Sequence, residues 1–182
     1  MSLVMSSSDD EAERDLQADG GDRVIFSAVW KNKKLGVAIF DESTGRLKCA
    51  ETTEDGAGEW SVLQLFKYHS SPNLLITPAR GEEDFIRACS EPLSDSAMDV
   101  DTDVLPTASF AYPACVARVG NITLPDMRAD ISQLQRAQYV SSIIDFEQEA
   151  MIRAIGGLLE WLAKHNIINS LMDEGVREHH SL

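Results

Sequence analysis

The chain has 182 residues and an apolar share of 43%, enough for one packed core and too much for a wholly disordered polypeptide. Its formal charge of -14 argues, taken whole, against nucleic acid, yet the acids are concentrated. Residues 1–22 carry Asp9, Asp10, Glu11, Glu13, Asp15, Asp19 and Asp22 against Arg14, residues 90–103 add Glu91, Asp95, Asp99, Asp101 and Asp103 with no base, and the remainder is close to neutral.

Residues 1–22 join Ser6, Ser7 and Ser8 to these acids and to Gly20-Gly21, with too few large apolar groups to offset the entropy of ordering, so a disordered tail is expected. Val24 to Trp30 is rich in β-formers and predicts a strand. Lys31-Asn32-Lys33-Lys34 is a polar turn, Leu35 to Phe40 a second strand, Glu42-Ser43-Thr44-Gly45 a turn, and Arg46 to Glu51 an alternating, half-exposed third strand. Such short turns imply an antiparallel meander.

The period then changes. Trp60, Leu63, Phe66 and Lys67 form a helical stripe ending near His69, Asn73 to Thr77 is a short strand buried on both faces, and Glu82 to Cys89 is a second helix with acids at its positive end. Helix, strand, helix after a meander implies a parallel addition to the sheet. Residues 90–107, with Pro92, Pro106 and the acids, read as an acidic loop. Ser96 has Asp99 three residues on, and Ser7 and Ser8 have Asp10 and Glu11, the spacing acidophilic kinases accept; a solvated loop without regulation has the same composition. Thr107 to Tyr112 is expected to be a fifth strand, interrupted at Pro113 and continued at an edge by Cys115 to Val119. A helix is expected from Asp130 to about Val140, and another after Asp145, an N-cap with Gln148 at N3. That last helix carries Ala150/Met151, Ala154/Ile155, Leu158/Leu159 and Leu162 on one stripe, and Glu149–Arg153 and Glu160–Lys164 as i,i+4 pairs. Gly156-Gly157 inside it costs about 1 kcal/mol per glycine against alanine, so either a neighbour approaches the helix closely there or it bends.

Catalytic and ligand motifs are sparse. Cys49, Cys89 and Cys115 lie far apart with no histidine at ligand spacing, which disfavours a zinc site and suits a reducing, intracellular setting. No phosphate-binding Gly-x-x-x-x-Gly-Lys loop and no Gly-x-Ser-x-Gly elbow occurs. His69 and His165 fall at helix ends, where a cation suits the dipole, and His179-His180 lie in an unassigned terminal stretch. Lys31, Lys33 and Lys34 cluster beside Trp30, an arrangement that offers a phosphate contact and equally describes a solvated hairpin tip. Three antiparallel strands, helix, strand, helix, strand is the order of ribonuclease-H-like folds, whose nucleases hold two metal ions on carboxylates of the first and fourth strands and first helix. The first strand here has no carboxylate, the fourth ends in Thr77-Pro78-Ala79, and Asp41 and Glu59 stand without partners that spacing can supply. A metal-dependent nuclease is therefore disfavoured.

Two stretches carry a resemblance. Val29-Trp30, a polar turn and Leu35-Gly36-Val37-Ala38-Ile39-Phe40-Asp41 resemble the opening of the connector domain of MutS-type DNA repair and recombination proteins. Tyr139 to Phe146, followed by Arg153-Ala154-Ile155-Gly156-Gly157-Leu158-Leu159, resembles the helix that leads from connector to lever, in the form found in the meiotic branch that lacks the mismatch-reading domain. The resemblance spans residues 24–172 and is strongest at its ends. It implies an α/β, ribonuclease-H-like connector with a mixed five-stranded sheet and flanking helices over residues 23–142, the start of a helical lever at 143–175, and an unassigned tail at 176–182. It also implies a non-catalytic module of an ATP-dependent, nuclear, chromosome-associated DNA clamp that acts in meiotic recombination and crossover formation with the fourth MutS homologue as partner. ATP and magnesium would belong to parts of the family absent from this sequence, so no cofactor, metal or catalytic residue is expected here, and Gly156, Gly157, Leu158 and Leu159 are expected to serve helix packing. Past Gly175 the likeness ends, which suggests that the family's reading frame is lost there. The alternative is a stand-alone ribonuclease-H-like adaptor that binds a protein partner without DNA or nucleotide.

Overall fold

The computed structural model describes residues 23–56, 58–92, 100–124, 127, 128 and 130–167. The expected tail 1–22, residues 176–182, and Ser7, Ser8 and Ser96 lie outside the described residues. The architecture is α/β. Strands β1 (Val24–Lys31), β2 (Lys34–Asp41) and β3 (Arg46–Thr53) form the predicted meander, and β4 (Leu74–Pro78) and β5 (Asp101–Leu105) add in parallel, giving a mixed sheet in the order β3-β2-β1-β4-β5. The β1–β2 connection is a two-residue loop with Asn32 and Lys33 both at positive φ (52° and 61°), whose twist matches that of the flanking strands.

Alternation along β1 and β2 serves two cores. Phe26, Ala28, Leu35 and Val37 face helices α1 (Ser61–Ser70) and α2 (Glu83–Ser90). Ile25, Val29, Ala38 and Phe40 face the opposite layer, built by α3 (Tyr112–Gly120), α4 (Gln133–Ile143) and α5 (Glu149–Lys164). Every apolar residue of the α5 stripe is buried. This helix, expected to begin a separate unit from residue 143, shares one core with the sheet, and residue 143 itself is the last of α4.

Three expectations are corrected. The fifth strand is Asp101–Leu105, inside the segment read as an acidic loop, because a short parallel edge strand buries only Leu105 fully and tolerates acids elsewhere. Thr107–Phe110 is a 3-10 turn, and Cys115 to Val119 belongs to α3, where Pro113 occupies the first helical turn and interrupts nothing. The helix expected from Asp130 starts at Gln133, after a capping box of Ser132 and Gln135, while Asp145 stands outside α5 and closes a local turn by accepting from the Glu147 amide at 2.9 Å.

The amino end of α5 is capped from a distance. Glu51 of β3 accepts from the amides of Ala150 (2.9 Å) and Met151 (3.3 Å). Glu54, just past β3 and buried, does the same for α1 at Val62 (2.8 Å) and Leu63 (3.1 Å). Two acids, one on β3 and one just past its end, thus anchor helices on opposite faces of the sheet.

Candidate functional site

The expected packing site at Gly156-Gly157 is found where two elements cross α5. A β-carbon on Gly156 would fall on the side chain of Cys115 in α3, and one on Gly157 would fall on the ring of Phe110. A third glycine completes the seat: at Gly36 of β2 a β-carbon would fall on the backbone of Ala150. Sheet and helix therefore meet with no side chain between them at Gly36, and α3 lies as close on the far side. Leu158 and Leu159, also expected to pack, are buried in the same layer. The neighbour anticipated from the glycine pair is α3 with the 3-10 turn before it.

Ion pairs rim this seat. Glu149 accepts from Lys31 at 2.6 Å and from Arg153 at 2.6 Å, and Arg153 also donates to the Phe110 carbonyl at 2.7 Å. Glu160 pairs with Arg118 and with Lys164 (2.7 Å) and accepts from Ser109 Oγ at 2.8 Å. Burial alone would push the Glu160 pKa up, but Lys164, Ser109 and Arg118 more than reverse this and hold it below the ordinary 4.5. A carboxylate with a lowered folded pKa contributes stability that is complete above its unfolded pKa and is lost as pH falls through the folded one. Glu160→Gln is therefore expected to destabilise the protein near neutral pH by about 1–2 kcal/mol and to flatten its acid-side loss of stability, read from urea melts between pH 7 and pH 3.

The lysine turn is divided in its roles. Lys31 is committed to Glu149, Lys34 Nζ lies 3.4 Å from Thr53 Oγ1, and Lys33 is exposed at the tip. Trp30, the neighbouring aromatic, donates its indole N–H to the Glu54 carbonyl at 2.8 Å and packs edge-on against Trp60, which removes it as a free stacking surface.

One cavity was not foreseen. It has a volume of about 310 Å³, a floor of Val24, Val37, Ile39 and Ala50, and a wall at the carboxyl end of α1 formed by Phe66 and His69. It exists because α1 and α2 cover β1 and β4 while β3, an edge strand with few buried positions, extends beyond them. Its rim carries the exposed cations Arg46 and Lys48, neither in an ion pair among the described residues. The single acid lining it, Asp41, is tied into the β2–β3 turn by Ser43 (2.7 Å to Oγ, 3.0 Å to N), and these bonds lower its pKa. The signal available in the sequence was Arg46 and Lys48 at i,i+2, which places both on one face of β3.

Lys67 has a role that its place on the α1 stripe did not reveal. Read as the last member of an apolar stripe, it is fully buried and donates to the carbonyls of Ala88 (3.0 Å), Cys89 (3.0 Å) and Glu91 (2.6 Å), closing the carboxyl end of α2. Burial lowers its pKa, opposed by Cys89 and Glu91. The cysteines are held protonated: burial pushes the Cys89 thiol up to about 12 and raises Cys49 and Cys115 as well. Among the described residues no three His, Cys, Asp or Glu side chains come together to hold a metal ion, and no helix is long and apolar enough to cross a membrane. No family model matches the chain.

Proposed function

We propose that this chain is a non-catalytic interaction module built on a ribonuclease-H-like sheet, the connector of a MutS-type clamp resembling the fifth eukaryotic MutS homologue. The observation that carries the reading is the seating of α5: Gly36 and one capping carboxylate, Glu51, hold the helix to the sheet without an intervening side chain, while Gly156 and Gly157 let α3 and the 3-10 turn close on its other side. A module of that kind passes displacement of the helix to the sheet as one body, which is what a connector between moving domains requires. Two further features support it. The strand order, with β1 antiparallel to β2 and parallel to β4, agrees with the ribonuclease-H-like arrangement. The acids at the end of edge strand β3, Glu51 and Glu54, are engaged by helix amides, a capping role.

In this reading ATP, magnesium and the contact with double-stranded DNA or recombination intermediates belong to the rest of the clamp, and this module contributes protein contacts, with the fourth MutS homologue as partner, in the nucleus. Co-purification of the tagged chain with that homologue tests it. Retention after a wash at moderate salt is expected. A failure to retain the homologue, with a folded and monomeric bait, overturns the partnership and favours the second reading, a self-sufficient adaptor of the same fold. That second reading has an observation of its own: the α5 stripe is buried within the module and needs no lever to cover it.

A further inference from the structure

β3 ends the sheet on one side, and every second residue of its backbone is unused. The Glu54 amide donates to the Lys33 carbonyl at 3.1 Å, and antiparallel pairs alternate, so Thr52, Ala50, Lys48 and Arg46 turn their N–H and C=O groups to β2. Leu47, Cys49, Glu51 and Thr53 turn theirs outward, where no group among the described residues meets them. An open ladder of this kind is a template for another strand.

The side chains beside the ladder select what can pair with it. Arg46, Lys48 and Ala50 stand opposite Asp41, Ile39 and Val37 in register, so all six share the face that holds the cavity, and its apolar floor begins at Ala50. Arg46 and Lys48 are exposed and form no ion pair among the described residues, while Asp41 is already held by Ser43 and Thr44. Cations on an edge strand deter pairing with a second basic edge and leave an acidic strand as the complement. Nucleic acid would meet the cations but leave the ladder open and the floor of Val37 and Ile39 uncovered. A small molecule confined to the cavity of about 310 Å³ would also leave the ladder open. An extended acidic peptide satisfies ladder, cations and floor together.

We propose that β3 is the docking edge for an extended acidic segment of a partner protein, which adds to it as an antiparallel strand. The segment bonds to the outward backbone groups of Leu47, Cys49 and Glu51. Its acids stand opposite Lys48 and Arg46, and a large aliphatic side chain opposite Ala50 reaches over the cavity floor. From its amino end the motif therefore reads aliphatic, any residue, acid, any residue, acid. Salt weakens docking by screening the exposed ion pairs. Strand addition at β3 does not depend on the connector reading, and its test does not use the fourth MutS homologue.

The test titrates the terminally blocked peptide Thr-Thr-Leu-Thr-Glu-Thr-Asp-Thr-Thr into the isotope-labelled full chain at low salt and follows amide exchange with solvent. At ten times the Kd, exchange at Leu47, Cys49 and Glu51 is expected to slow about tenfold, because only the free fraction exchanges. Lys48 and Ala50, already bonded to β2, are expected to keep their rates. N-methylation of the peptide threonine opposite Cys49 removes one ladder bond without altering the protein, and is expected to abolish binding. Arg46→Glu/Lys48→Glu is expected to weaken binding about tenfold or more, and a peptide with lysine in place of both acids is expected to restore it. No binding at millimolar peptide overturns strand addition, as does binding that tolerates the N-methyl group. Shifts confined to Val37, Ile39 and Phe66 assign the site to a cavity ligand and also overturn it. So does slowing of the edge amides that grows with protein concentration alone, which assigns the edge to a second copy, or duplex DNA that shifts Arg46 and Lys48 where the peptide does not.

Discussion

Replacing Gly36 by alanine is expected to be the most damaging single-methyl change in the protein, costing about 3 kcal/mol or more. The added carbon would fall on the backbone of Ala150, and neither side can yield separately. Gly36 lies in the full β1–β2–β3 ladder, while Ala150 is fixed by the hydrogen bond that its backbone N–H donates to the Glu51 carboxylate. Overpacking usually costs about 1–3 kcal/mol because side chains rotate away, and a backbone obstacle removes that relief. Gly157→Ala is expected to cost less, about 1–2 kcal/mol, since the Phe110 ring can shift and alanine regains about 1 kcal/mol of helix propensity. Urea melts of the two variants check the order. Near-equal losses would mean that α5 does not sit on β2 as described.

Lys67→Met is expected to cost about 3 kcal/mol. Methionine keeps most of the stem volume but leaves the carbonyls of Ala88, Cys89 and Glu91 without their shared donor in a buried setting. A surface lysine would cost a few tenths of a kcal/mol, so the measurement separates the two environments clearly. The pH dependence has a definite sign. Because the folded pKa lies below the ordinary 10.5, the unfolded chain retains a proton that the folded chain releases in the alkaline window between the two values. The stability of the wild type relative to Lys67→Met is then expected to rise with pH in that window and to be flat near neutrality, as followed by chemical denaturation at several alkaline pH values.

Both predictions concern features that were unevenly legible in the sequence. The meander, α1, β4, α2 and the α5 stripe follow from period and turn residues, because each buries a face whose spacing is local. Gly156-Gly157 announced a close neighbour by its cost, although the identity of that neighbour depends on a crossing that no local pattern encodes. Gly36 announced nothing: a glycine in a strand has many explanations, and its partner lies more than a hundred residues away. The misreading around β5 and α3 has one physical source. Asp101-Thr102-Asp103-Val104-Leu105 is polar because it lies at an edge, where Asp103 accepts from the Trp161 indole at 2.9 Å, and Pro113 suits a first helical turn as well as it ends a strand. The spacing put Lys67 on the stripe of α1, where it is buried, but its partners were not legible, because the carbonyls of α2 that take the place of water come from a separate element. The cavity at β3 stayed hidden because it is made by what α1 and α2 leave uncovered, a property of layer width that strand and helix patterns do not state.

The account stands on α5 and the sheet being one body, and native-state hydrogen exchange tests that most directly. If Gly36 and Glu51 join them, the amides of Ile152 to Leu162 should exchange only through the same global opening as those of Phe26 to Val29, with equal free energies and equal dependence on denaturant. Exchange of the α5 amides through a separate, lower-energy opening, while the sheet stays protected, would contradict the account, because the helix would then move independently of the sheet it is said to drive.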